Sequence, residues 1–87
     1  MGYLLSKKFE KQFSKLQKNL KNKTIIQLGV FSKDIFDQRL NNHSLSGKQK
    51  GQRSININGD IRAIYEEVEK DKLVMFVAIG LHSKLYS

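Results

Sequence analysis

No cysteine occurs among the 87 residues, which excludes disulfides, thiolate metal sites and thiol catalysis. Only two histidines are present, too few to close a structural zinc site. The longest apolar run, Leu73 to Ile79, has seven residues, whereas a membrane-spanning helix needs roughly 20. The opening MGYLLS lacks the long apolar stretch of a secretory signal, so the expected setting is the cytoplasm, away from membranes. There is no repeat, no proline-rich linker and no low-complexity tract. The glycines are scattered, so no phosphate-cradling loop is formed by sequence alone. The length leaves room for one domain, residues 1–87. Its core is thin, because a chain this short buries only about 60–65% of its unfolded surface.

Negative charge is scarce. Eight Asp and Glu stand against sixteen Lys and Arg, a net of +8. The excess is uneven: residues 1–53 hold twelve basic and three acidic side chains, and residues 54–87 hold four and five. A field of this sign raises the encounter rate with polyanions, of which nucleic acid is the commonest inside a cell.

The hydrophobic pattern changes period along the chain. Met1 to Ser6 is a short apolar opening suited to a strand. Phe9, Phe13, Leu16 and Leu20 are spaced four, three and four apart, which predicts a helix over 7–22 with Ser6 as its cap and Asn22 as its stop. Lys8, Lys11, Lys15 and Lys18 form a second stripe, a solvated face as readily as a binding one. A second helix is expected over 24–36, capped by Thr24, with Gly29 a weak point inside it. Residues 37–51 lose the period and read as a long loop. From Gln52 the period is two, and Asn58-Gly59 signals a hairpin because both residues tolerate positive φ. A polar turn at 69–72 precedes a central strand over 73–79, ended by Gly80. The expected order is β-α-α-β-β-β, an α+β fold. Its two-helix hairpin must pack on one face of a small, mostly antiparallel sheet, where both elements hide their apolar sides.

Once helix stripes and strand cores are removed, a polar set remains: His43, Lys48, Lys50, Arg53, Asn56, Asp60, Arg62, His82 and Tyr86. These types suit metal-free RNA cleavage by the substrate's own 2′-hydroxyl. Imidazoles move protons near neutral pH. Arginines hold phosphate with paired hydrogen bonds and keep their charge. An aromatic ring stacks on a splayed base. Each residue also has a plain structural reading: Asp60 as a turn residue, Arg62 as an edge charge, His43 as a solvent-facing loop side chain.

Their order in the chain adds to this. The segments LNNHSLSGKQKGQRSININGDIRAIYEE (40–67) and VAIGLHSKLYS (77–87) resemble the RelE/ParE superfamily of type II toxin–antitoxin toxins, nearest the RelE and YafQ-like mRNA interferases. The resemblance implies a RelE-like fold. It also implies a ribosome-dependent endoribonuclease that enters the A site, contacts 16S rRNA and cuts mRNA without a cofactor or metal. A small cognate antitoxin would neutralise it. His43, Asp60, His82 and Tyr86 match positions associated with cleavage, and Arg53 and Arg62 match phosphate-binding ones. On that pattern His82 acts as general acid, Asp60 or His43 acts as base, and Tyr86 stacks on a base. Lys48, Lys50 and the lysines of the first helix would hold RNA.

The chain departs from the pattern at three places. Asn56 replaces a second histidine; it can hydrogen-bond to substrate but cannot carry a proton. Gln52 replaces an aromatic residue and Leu81 a threonine. Two other readings stay open on the same fold: a ParE-like gyrase inhibitor, and a non-catalytic binding module.

Overall fold

Residues 1–85 are described by the computed structural model. The order is β1 (Gly2–Leu5), α1 (Lys7–Ser14), α2 (Lys18–Lys33), β2 (His43–Ser44), β3 (Gln52–Asn56), β4 (Ile61–Glu69), β5 (Leu73–Leu81) and α3 (His82–Leu85). Short 3-10 turns at Gln38–Leu40 and Gly47–Gln49 flank β2. The strands form one sheet in the order β1-β5-β4-β3-β2. Only β1 runs parallel to its neighbour; the other pairings are antiparallel.

Both long helices cover one face. Tyr65 of β4 and Phe76 of β5 are register partners on that face, and Phe31 of α2 packs edge-on against both at 4.9 and 5.1 Å between ring centres. Phe9 of α1 meets Phe76 at 5.9 Å. Phe9, Phe31, Leu40, Ile55, Ile57 and Phe76 are fully buried there. Their burial is the main driving force for the fold, about 1.5–3 kcal/mol for each large apolar side chain.

Two register shifts interrupt the β4–β5 pairing, and the one nearer the helices' contact with β5 shapes the sheet there. Ile64 faces Ala78 while Tyr65 faces Phe76, so Val77 is the extra residue on β5. Beyond Phe76, β1 no longer lies beside β5, and α1 takes its place. The Ser6 hydroxyl donates to the Val77 carbonyl at 3.3 Å, and the Gln12 side-chain oxygen accepts from the Ile79 N–H at 3.0 Å. A helix side chain thus satisfies a strand edge.

The expected single helix over 7–22 is two helices. It breaks at 15–17, where Leu16 N–H bonds back three residues to Phe13 and Gln17 is extended. The apolar spacing runs through the break because both helices bury the same stripe. α1 is tied to β5 through Ser6 and Gln12, whereas α2 carries Phe31 over Tyr65. Asn22 lies inside α2 and is no stop, and Thr24 is no cap. Thr24 is buried mid-helix and donates its hydroxyl to the Leu20 carbonyl at 2.7 Å. Ser6 does cap α1, accepting from the Phe9 N–H at 3.0 Å.

The 57–60 turn is also built differently from expectation. Positive φ among non-glycine residues occurs at Asn41 and Asp71, and among glycines at Gly47 and Gly51; Asn58 and Gly59 do not take it. The Asn58 side-chain oxygen instead accepts from the N–H groups of Asp60 and Ile61 at 2.9 and 2.7 Å. Asparagine serves here through its carbonyl, not its backbone freedom. Residues 37–51 are more ordered than a plain loop: Leu40 is fully buried, and β2 adds two residues to the sheet. Strand β5 continues through Gly80 to Leu81 rather than ending at Gly80, because Arg62 and Ile61 still pair with them.

Candidate functional site

The sheet face turned away from α2 carries the candidate site, although Ser54, Ile64 and Ala78 on it are buried. Register places His43, Ser54, Ile64 and Ala78 in one row across it, and Asn56, Arg62 and Gly80 in the next. Gly80 has no side chain, so Leu85 of α3 folds back above it; a Cβ there would sit 3.7 Å from Leu85 Cδ2.

His43 reaches the site from β2. Its Nδ1 lies 2.9 Å from the Asn41 carbonyl, which can only accept. Nδ1 therefore carries the proton in the neutral ring, leaving Nε2 as the proton acceptor. His82 enters from the first residue of α3. Its main-chain N–H donates to the Asp60 carbonyl at 2.9 Å, binding the 57–60 turn to α3. The two imidazoles line one hollow of about 440 Å³ with Ser44, Leu45, Ser46 and Gln49. Both histidines are exposed to solvent.

Gln49 is the residue that sequence reasoning missed. Its Nε2 donates to the Leu85 carbonyl at 3.2 Å, tying the β2–β3 connection to α3. It also borders a second hollow of about 560 Å³, between α1 and the sheet, where Lys8, Gln12, Lys15 and Lys84 stand around a floor of Ile64 and Ala78. Nothing in the sequence marks this glutamine, one polar residue in a polar stretch.

The other expected site residues divide. Asp60 is exposed at the turn beside His82. Arg62 shares that sheet face, but its Nη1 is held by the carbonyls of Asn58 and Gly59 at 2.8 and 3.0 Å, so it also braces the turn. Lys48 and Lys50 are exposed on the connection that carries Gln49. Asn56 is absent from the described residues lining the histidine hollow, and its side-chain oxygen is buried without a hydrogen-bond partner among the described residues. Arg53 does not join the site. It pairs with Tyr65 and Ser44 on the helix-covered face. There its Nε donates to the Asn42 side-chain oxygen at 2.8 Å, and its guanidinium lies 5.4 Å from the centre of the Phe36 ring. Strand alternation sends residue 53 to the face opposite residues 54 and 56. Tyr86 lies outside the described residues.

Two side-chain amides, the buried Gln27 and the half-buried Asn42, hold this frame. Asn42 donates to the Ile35 carbonyl and the Tyr65 hydroxyl at 2.8 and 2.7 Å, fixing the chain just before His43. Gln27 of α2 donates to the carbonyls of Arg39 and Asn56 at 3.2 and 3.0 Å. Away from the site, the Arg39 guanidinium hydrogen-bonded to Asp37 holds that carboxyl down at about 2. Among the described residues, no three His, Asp or Glu side chains gather as a metal site. No described helix is long and apolar enough to cross a membrane.

Known structures carry the same architecture. YafQ from Escherichia coli matches with a TM-score of 0.81 and 24% identity over 98% of this chain and 97% of that one. A toxin from Helicobacter pylori matches at 0.67 and 28% identity over 98% of each chain. The E. coli DinJ–YafQ toxin–antitoxin complex matches at 0.77 and 25% identity over 98% of this chain and 96% of that one. No curated protein matches at a significant level. Residues 2–87 fit the family model described as bacterial toxin of type II toxin–antitoxin system, YafQ. With nearly the whole chain fitting that model and the fold shared end to end, this protein belongs to the YafQ family of type II toxin–antitoxin toxins.

Proposed function

We propose that this toxin is a ribosome-dependent endoribonuclease that cleaves mRNA through the 2′-hydroxyl. The observation that supports this most is the hollow lined by both imidazoles. His43, with Nδ1 committed to a carbonyl, has Nε2 placed to take the 2′-hydroxyl proton. The freed oxygen attacks the adjacent phosphorus. His82 then protonates the departing 5′-oxygen, leaving a 2′,3′-cyclic phosphate and a 5′-hydroxyl. Arg62 supplies positive charge for the phosphorane, and Asp60 keeps His82 in place through its main chain. Tyr86, four residues past His82, is the candidate for stacking on a base. Lys48 and Lys50 beside the hollow, Lys8 on α1 and Lys15 just past its end suit contacts to mRNA and to 16S rRNA in the A site. The solved DinJ–YafQ pair supports a cognate antitoxin as partner, and a ribosome-bound substrate would put the place of action in the cytoplasm.

The test is primer extension on mRNA from translating ribosomes with the purified protein. Cleavage is expected with the native chain and is reduced about 100- to 10,000-fold in His82→Ala, the usual worth of an acid–base group. Undiminished cutting by His82→Ala removes that residue from the mechanism. One observation favours a non-catalytic binder instead: Asn56 stands where the pattern has a second histidine, so one proton carrier is missing. That reading predicts antitoxin binding with intact mRNA.

A further inference from the structure

Arg53 lies on the face opposite the imidazoles, yet it is hydrogen-bonded to the residue next to His43. Its Nε, which can only donate, gives its proton to the Asn42 side-chain oxygen at 2.8 Å. The Ile35 carbonyl, which can only accept, takes one proton of Asn42 Nδ2 at 2.8 Å, and the Tyr65 hydroxyl takes the other at 2.7 Å. These partners allow the Asn42 amide one orientation. Turned over, it would set Nδ2 against Arg53 Nε and its oxygen against the Ile35 carbonyl. Tyr65 is buried and packed edge-on against Phe31, so the amide is anchored to the core.

Asn42 stands between the two residues that set the His43 ring. Before it, Asn41 has a left-handed backbone with φ +45, a conformation that side chains other than glycine seldom adopt. That backbone presents the Asn41 carbonyl to His43 Nδ1 at 2.9 Å. With the Asn42 amide released, residues 41–43 lose this anchor and the ring loses its carbonyl. The proton can then sit on Nε2, and the acceptor for the 2′-hydroxyl is gone.

The surroundings of Arg53 disfavour a direct grip on RNA. It lines a hollow of about 360 Å³ together with Glu66, Glu67 and Asp71, whose carboxylates repel a phosphate. We infer, on the nuclease reading above, that Arg53 is a positioning residue: its Nε fixes the Asn42 amide and so holds His43 with the proton on Nδ1 and Nε2 toward the substrate. The donor matters here and the charge does not.

The experiment compares Arg53→Gln, Arg53→Met and Tyr65→Phe with the native chain. Glutamine carries its amide nitrogen as many bonds from the main chain as arginine carries Nε, so it keeps the donor and drops the charge. Methionine drops both. Tyr65→Phe keeps the buried ring and removes a partner of Asn42 without touching Arg53. Nitrogen-15 NMR of the His43 ring at about pH 8.5, above the ordinary imidazole range, reads the tautomer. Single-turnover mRNA cleavage and co-sedimentation with ribosomes read reaction and binding separately. The native chain and Arg53→Gln are expected to hold the proton on Nδ1 and to cut equally fast. Arg53→Met is expected to show a large share of the Nε2–H form and to cut about 10- to 100-fold more slowly, with ribosome affinity and its salt dependence unchanged. Tyr65→Phe is expected to move the tautomer the same way. A His43 ring that stays Nδ1–H in folded Arg53→Met overturns the inference, as does an Nε2–H ring in the native chain. Should Arg53→Met not fold, an unmoved ring in Tyr65→Phe overturns it instead. Equal loss of cleavage in Arg53→Gln and Arg53→Met, with weaker and less salt-dependent ribosome binding, overturns it in favour of a phosphate contact. A tautomer that moves as expected in a protein that cuts no mRNA upholds the hold on His43 and sinks only the nuclease.

Discussion

Replacing Gln27 by Met removes a single buried amide that joins three parts of the molecule. The side chain is 4% exposed, and its one nitrogen serves the Arg39 carbonyl before β2 and the Asn56 carbonyl at the end of β3. Methionine nearly keeps the volume, so cavity effects are small. Two hydrogen bonds at about 1 kcal/mol each set the lower figure. A buried carbonyl left without a partner costs about 1–3 kcal/mol, which raises the upper figure to roughly 4 kcal/mol. The expected loss is therefore about 2–4 kcal/mol, a large share of the roughly 5–15 kcal/mol by which a domain is stable. At about 4–8 °C per kcal/mol, the melting temperature should fall by roughly 10–30 °C. Urea unfolding followed by circular dichroism measures it, with Gln17→Met as control. Gln17 is exposed and makes no side-chain cap bond, so its change should stay within about 0.5 kcal/mol. A loss for Gln27→Met as small as that of the control would refute the reasoning, since the two carbonyls would then be satisfied some other way.

Three more outcomes are expected. Gln49→Ala releases α3 from the β2–β3 connection; the lost bond, worth about 0.5–1.5 kcal/mol, should speed exchange of α3 amides by about 2- to 10-fold, and an unchanged rate would show that Gln49 does not hold the helix. Gly29→Ala should stabilise by up to about 1 kcal/mol, because nothing stands within 4 Å of the added Cβ, whereas Gly47→Ala should cost about 1–2 kcal/mol at its φ of +66; thermal melts of both variants give the signs. The carboxyl of Asp37 is lowered in the folded state, so the stability it contributes is present above the ordinary carboxylate range near pH 4 and is lost as pH falls through about 2. Arg39→Ala removes the guanidinium, the largest cause, but keeps the main-chain N–H that also donates to Asp37, so the Asp37 titration, followed by NMR, should move up part of the way towards the ordinary range; a titration that does not move would assign the shift to another cause.

The corrections to the site share one origin. His82 and Asp60 are 22 residues apart, and their meeting depends on Gly80 and Leu81 continuing β5 so that α3 starts beside the 57–60 turn. Arg53 and His43 look alike as polar residues near a strand, yet register turns them to opposite faces. A period of two tells which residues share a face of one strand. It cannot tell which face the helices will cover.

From the order of residues alone came the α+β architecture, the positive field, the Ser6 cap and the strand periods, because each depends on neighbours within a few positions. The motif around His43, Asp60 and His82 was legible too, since residue types and spacing carry it. Tertiary structure decided the break between α1 and α2, the use of Asn58 through its side chain, the exclusion of Arg53 and the task of Gln49. Those outcomes depend on where a remote carbonyl, strand edge or aromatic ring comes to lie, and no local pattern encodes that position.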